Sequence, residues 1–253
     1  MSRRARTIWM IAGGVGLAIV VAGVAVLFAF RDFATPVGEE EIGLTVVTGA
    51  GAPGDFGYYV YATNGYESTD ALAGARHDYP AETYLTIQPG GCGTLVRWQP
   101  LDQRYDEWNI CPDGRMAGWD SFNEWFQVKN TDHWQCADPV PLQQNPGTTW
   151  TSQCAKVQSE EAGASTEVAS YEAVGYETLM VAGQEVETLH VRTTQVETGG
   201  SDGSGHADLW YLPGTPLVVR RVEVHDSTTD SRIGPVQYHE EVELQLTSLL
   251  PQG

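Results

Sequence analysis

Residues 175–191 read GYETLMVAGQEVETLHV. Val, Thr, Tyr and Leu recur there with period two on either side of Ala182-Gly183-Gln184. That pattern places alternate side chains on opposite faces of an extended chain, and a small-residue turn between two such runs joins antiparallel neighbours. Working outward, strand-like runs cover 165–181, 185–197, 205–212, 217–225 and 235–248, separated by clusters of Gly, Asp and Ser. Residues 161–253 therefore read as an antiparallel β-meander.

Toward the N-terminus the signal recurs at 44–47, 58–63, 83–88, 94–99 and 104–111, and more weakly at 116–128. Helical periodicity is absent after residue 42, apart from a single turn around 121–126. Residues 43–160 thus form a second β-rich module, and the expected fold is an all-β ectodomain. Gly65-Tyr66-Glu67 recurs as Gly175-Tyr176-Glu177, and Glu82-Thr83-Tyr84-Leu85 is echoed by Glu187-Thr188-Leu189. Two related half-sheets and chance matching of strand composition both account for this echo.

Ahead of the β-rich region, residues 8–30 contain no charge and no proline. At about 1.5 Å per residue they span roughly 34 Å as a helix, enough to cross a bilayer core of about 30 Å. Arg3, Arg4 and Arg6 precede the run, which puts residues 1–7 in the cytoplasm and everything after Phe30 outside. A cleaved signal peptide has a shorter apolar core and a small-residue cleavage site, whereas this run ends Val26-Leu27-Phe28-Ala29-Phe30. The expectation is one uncleaved transmembrane helix with the lipid bilayer as its partner, a linker over 31–42, and single-pass placement in the cell membrane.

The segment 175–191, followed by Asp208-Leu-Trp-Tyr-Leu-Pro and Leu217-Val-Val-Arg-Arg, resembles a meander of bacterial envelope proteins. Those are similar in turn to the curved, half-open sheets of LolA- and LppX-type lipoprotein carriers. The whole layout resembles uncharacterised membrane-anchored envelope proteins of high-GC Gram-positive bacteria. The resemblance implies architecture and a carrier-like role. No cysteine precedes Cys92, so the carriers' lipidation site is missing.

From Asp32 onward the chain carries all 33 acids and 10 of its 14 basic residues, a formal charge of −23. A field of that sign repels phosphate backbones and excludes nucleic acid as a partner. Cys92, Cys111, Cys136 and Cys154 are even in number and lie on the oxidising side, which argues for two disulfides. Four cysteines allow three pairings; Cys92 with Cys111 and Cys136 with Cys154 is favoured because each pair encloses a strand-turn-strand stretch. Neither C-x-x-C nor H-x-x-x-H spacing occurs, so no metal or cofactor is expected.

Trp98, Trp108, Trp119, Trp125 and Trp134 fall within 37 residues. They read first as core packing and second as a candidate ligand surface, since indole rings stack on ligands and donate hydrogen bonds. His77, His133, His190, His206, His225 and His239 are scattered singly and read as surface or turn residues. Gly199-Gly200-Ser201-Asp202-Gly203 matches the nucleophile elbow in letters, but it stands in a polar hairpin tip rather than between a strand and a helix. The resulting expectation is a non-catalytic tethered β domain binding an apolar ligand or an envelope partner. The alternatives are an envelope hydrolase of glycans or esters and a structural accessory subunit.

Overall fold

The computed structural model describes residues 32–42, 51–71, 74–158, 163–231 and 234–252. The expected cytoplasmic tail, the transmembrane run 8–30 and the expected strand at 44–47 lie outside the described residues. Among the described residues no helix is long and apolar enough to cross a membrane.

Among the described residues thirteen strands follow in order: β1 (Gly57–Thr69), β2 (Ala75–Asp78), β3 (Glu82–Gly90), β4 (Gly93–Leu101), β5 (Arg104–Ile110), β6 (Arg115–Trp125), β7 (Val128–Pro141), β8 (Thr149–Gln158), β9 (Ser165–Val181), β10 (Gln184–Gly199), β11 (Ser201–Tyr211), β12 (Val218–Ser231) and β13 (Gly234–Leu246). From β3 to β13 each strand pairs with its sequence neighbour, and β13 returns to β1 with Tyr61 opposite Leu246. β3 flanks the first half of β1 on the other side, and the short β2 flanks its second half. Twelve strands therefore close into an antiparallel barrel, which leaves no long unpaired edge. The sheet is curved, as the resemblance implies, but it is closed rather than half-open. Strands from both sequence-read modules belong to this one sheet, not to two half-sheets.

Two readings are corrected. The turn of helix expected at 121–126 is the end of β6, because Ser121, Asn123 and Trp125 share one face while Phe122 stacks outward on Tyr105, centroids 5.2 Å apart. The glycine-rich stretch 199–205 turns only at Gly199-Gly200 and then continues as β11. The small turn Ala182-Gly183 is present between β9 and β10, with φ of 50° and 80°, as a two-residue hairpin requires. Where β6 and β7 cross, a Cβ on Gly118 would lie 2.1 Å from the Trp134 carbonyl oxygen, so only glycine permits that approach.

Residues 32–41 run across the outside of the barrel. Asp32 accepts a 2.9 Å hydrogen bond from the Phe126 amide, Pro36 bridges Leu101, Val37 is buried, and Glu39 accepts a hydrogen bond from the Tyr58 hydroxyl. One end of the barrel thus holds Asp32 and the β6–β7 turn, and the other holds Tyr58 and the β9–β10 turn.

Candidate ligand-binding site

Inward residues differ around the barrel wall. On β3, β4 and β5 they include Leu85, Ile87, Val96, Trp98 and Ile110, all buried. Across the barrel, the inward register positions of β9 and β11 carry Ala169, Ala173, Gly203, Gly205 and Ala207. Large residues fill one side and small ones leave the other hollow. The result is a cavity of about 780 Å³, within the range of roughly 300–1,000 Å³ usual for small-ligand sites.

One end of that cavity is sealed, because Ile110, Met116, Val140 and Leu244 are all buried there. At the Asp32 end the lining residues Trp125, Phe126, Ser231 and Tyr238 are half-exposed and Val128 is exposed. The mouth is therefore at the β6–β7 and β12–β13 turns. Phe126 and Gln127 form the first of these with φ of 52° and 66°, a left-handed conformation that costs non-glycine residues energy.

The five tryptophans divide. Trp98 points inward but is fully buried and does not line the cavity; its indole donates to Thr83 Oγ1 at 3.0 Å. Trp108, Trp119, Trp125 and Trp134 line the cavity. Trp119 and Trp134 are stacked, centroids 5.2 Å apart, and Trp125 lies on His77 at 4.0 Å. Core packing and cavity lining therefore coexist in the cluster. The opposite wall contributes Tyr171, which stacks on Trp150 at 5.3 Å; no sequence signal marked either.

Polar chemistry lies on both sides. On one, Arg104 gives two 2.8 Å hydrogen bonds to Asp106 and one of 3.0 Å to Glu240. Glu240 also accepts from the Tyr79 hydroxyl. Burial alone would raise Glu240, but the Arg104 charge beside it outweighs that and holds it below the usual carboxylate range. On the other side, Lys156 stands between Asp132 at 2.9 Å and Glu197 at 3.2 Å. Glu167 lies directly opposite Glu197 across β9 and β10. Burial, then the charges of Glu197 and Glu223, push Glu167 up to about 8. These residues escaped the sequence reading because charged side chains on strands are ordinarily solvent-facing.

Two of the six histidines are buried, contrary to the surface reading: His77 and His190. His77 Nδ1 meets Glu67 Oε1 at 2.8 Å and Nε2 meets Asp32 Oδ2 at 2.6 Å. His190 repeats the arrangement outside the cavity, with Nδ1 at 2.9 Å from Glu177 Oε1, Nε2 at 2.6 Å from Asp208 Oδ1, and its ring stacked on Trp210. The recurring Gly-Tyr-Glu thus marks two equivalent histidine clamps.

Ser201 is buried with its hydroxyl 2.9 Å from Thr229 Oγ1, in a strand rather than on an exposed elbow. Cys92 is bonded to Cys111 and Cys136 to Cys154, the favoured pairing. Among the described residues no group of three or more His, Cys, Asp or Glu could hold a metal ion.

No protein-family model and no curated protein matches the chain. Among solved structures, the hypothetical lipoprotein YmcC from Escherichia coli (K12) is similar over 77% of this chain and 85% of its own, at 14% identity and a TM-score of 0.38.

Proposed function

We propose that the chain is a non-catalytic, membrane-tethered barrel that takes the apolar part of an amphipathic ligand into its cavity. The observation that carries this reading is the cavity itself: it is sealed by aliphatic residues at one end, lined by aromatic rings, and open at the end that holds Asp32. An apolar chain entering it leaves water for a surface of Trp, Tyr, Leu and Val, a transfer worth about 25 cal/mol per Å² buried. The uncharged run 8–30 supports placement at the cell membrane as a single-pass anchor. Asp32 stands two residues after Phe30, so a helix ending at Phe30 would set the mouth within about 7 Å of its end. A lipid leaving the bilayer would meet an open barrel, which favours a lipid over a protein partner as the occupant.

The test is saturable binding of an octyl-chain probe to the full-length chain in lipid nanodiscs. One site is expected, and it should be lost in Ala207→Phe, which places a ring in the hollow. Binding that survives Ala207→Phe unchanged would overturn the reading.

A second reading is favoured by one observation. Glu167, pushed up to about 8 by burial and the charges of Glu197 and Glu223, lies opposite Glu197, which pairs with Lys156 at 3.2 Å, and two carboxyl groups set apart in this way are what glycan hydrolysis uses as acid and base. That reading predicts turnover of an aryl glycoside, abolished by Glu167→Gln.

A further inference from the structure

We infer that the polar wall of the cavity selects a ligand whose head group is an alkylammonium. This rests on the chain-binding reading above and names the head that accompanies the chain.

The wall brings three carboxylates to one space. Glu167 and Glu197 face each other across β9 and β10, and Glu223 lies on β12, joined to β10 through Ala207 of β11. Like charges directly opposite in a sheet repel. The nearby cations do not relieve them fully. Lys156 is shared between Asp132 and Glu197, and Arg221 is held by Glu223 at 2.6 Å and by Asp106 at 3.8 Å. Among the described residues, Glu167 has no ion-pair partner.

Independent of the carboxylates, Thr193 Oγ1 faces the cavity without a hydrogen-bond partner, from a residue only 7% exposed. Asp132 Oδ1, beside the Oδ2 that meets Lys156, is likewise buried without a hydrogen bond and belongs to a residue that lines the cavity. Buried polar atoms of this kind are costly unless something satisfies them. Acceptors are therefore in excess, and so is negative charge. An ammonium supplies three donors and one positive charge, which answers both. A hydroxyl answers only the first, and a carboxylate or phosphate worsens the second. Tyr171 and Tyr211 line the same space and offer ring faces to a cation.

Glu167 shares this space with Glu197, Glu223, Lys156, Asp132, Arg221 and His225. Its carboxyl stands near 8 through burial and the charges of Glu197 and Glu223. An ammonium placed beside it favours the ionised form, so binding near neutral pH should expel a proton.

The experiment is calorimetry on the full-length chain in nanodiscs with octylamine, 1-octanol and octanoate, with heats from empty nanodiscs subtracted. Octylamine should bind at least tenfold more tightly than 1-octanol, with octanoate weakest. Its heat should vary with buffer ionisation enthalpy, reporting proton release. Glu167→Gln breaks no ion pair, and Thr193→Val keeps the side-chain shape; each should weaken octylamine far more than 1-octanol and so erase most of the amine preference. Equal binding of amine and alcohol would overturn the head-group assignment and leave the chain site standing. Amine preference intact in both variants would overturn it as well. Binding of none of the three probes would remove the chain site, and this inference with it.

Discussion

His77 lies flat on Trp125, ring centroids 4.0 Å apart and 10° from parallel, while its two nitrogens engage Glu67 and Asp32. Through this one ring the start of the described chain, strands β1 and β2, and the mouth of the cavity are joined.

That clamp predicts a pH dependence of stability. Burial alone would lower His77, but Glu67 and Asp32 raise it above its ordinary 6.5. The folded state therefore prefers the protonated ring. Its contribution is full below the unfolded value near 6.5 and is lost as pH rises through the higher folded value. The difference in Tm between the parent and His77→Gln should be larger at pH 6 than at pH 8.5. An equal difference at both would show that the imidazolium is not what Glu67 and Asp32 hold.

The two disulfides should differ in their effect. They close loops of similar length, with sequence separations of 19 and 18, and chain entropy assigns each about 3 kcal/mol. Their settings are unlike. Cys92 and Cys111 tie two hairpin turns at the sealed end. Cys136 and Cys154 face each other across β7 and β8, a seam with only four paired positions, from His133 to Cys136. Cys136→Ser with Cys154→Ser should lower stability by more than Cys92→Ser with Cys111→Ser in urea unfolding, and it alone should open amides of β7 and β8 to hydrogen exchange.

The same seam shows what the sequence could reveal. β9 to β13 were legible because short turns separate runs with alternating apolar residues. β7 was not, because its inward positions include Asp132 beside Trp134, and β8 alternates Ser152 with Lys156 inward. Burial there keeps period two while hydropathy does not, since the inward face meets a polar cavity. The closing pair of β1 and β13 joins residues far apart in the chain and leaves no local mark. The tryptophan cluster was legible as a feature, but the direction each ring faces depends on register.

Arg104 is the buried cation on which that side of the barrel depends. Asp106, Glu240 and, at 3.7 Å, Glu67 surround it. Arg104→Met leaves these carboxylates buried without their partner and should cost about 3–5 kcal/mol in urea unfolding. Arg104→Lys keeps the charge but loses the two-pronged bond to Asp106, so an intermediate loss is expected. Glu240 is held below its ordinary range in the parent, so its contribution is present above about 4.5 and lost as pH falls. The penalty of Arg104→Met should therefore shrink from pH 8 to pH 5, where the stranded carboxylates can take up protons. A penalty independent of pH would assign the loss to packing alone.

The strained turn at the mouth yields the last prediction. Phe126 and Gln127 both adopt positive φ, a conformation that Asn and Gly adopt far more readily at such hairpin positions. Phe126→Asn with Gln127→Gly should thus raise stability by about 1–2 kcal/mol. The Phe126 ring nevertheless lines the cavity mouth, and its amide donates to Asp32. Asn at 126 preserves the amide and removes the ring. If the ring is retained at a cost in stability because it contacts the entering ligand, the double variant should unfold at higher urea while binding the octyl probe severalfold more weakly. A variant that gains stability and binds equally well would leave Phe126 without a part in binding. One that loses stability would show that contacts of the phenyl ring, rather than backbone strain, dominate at this turn.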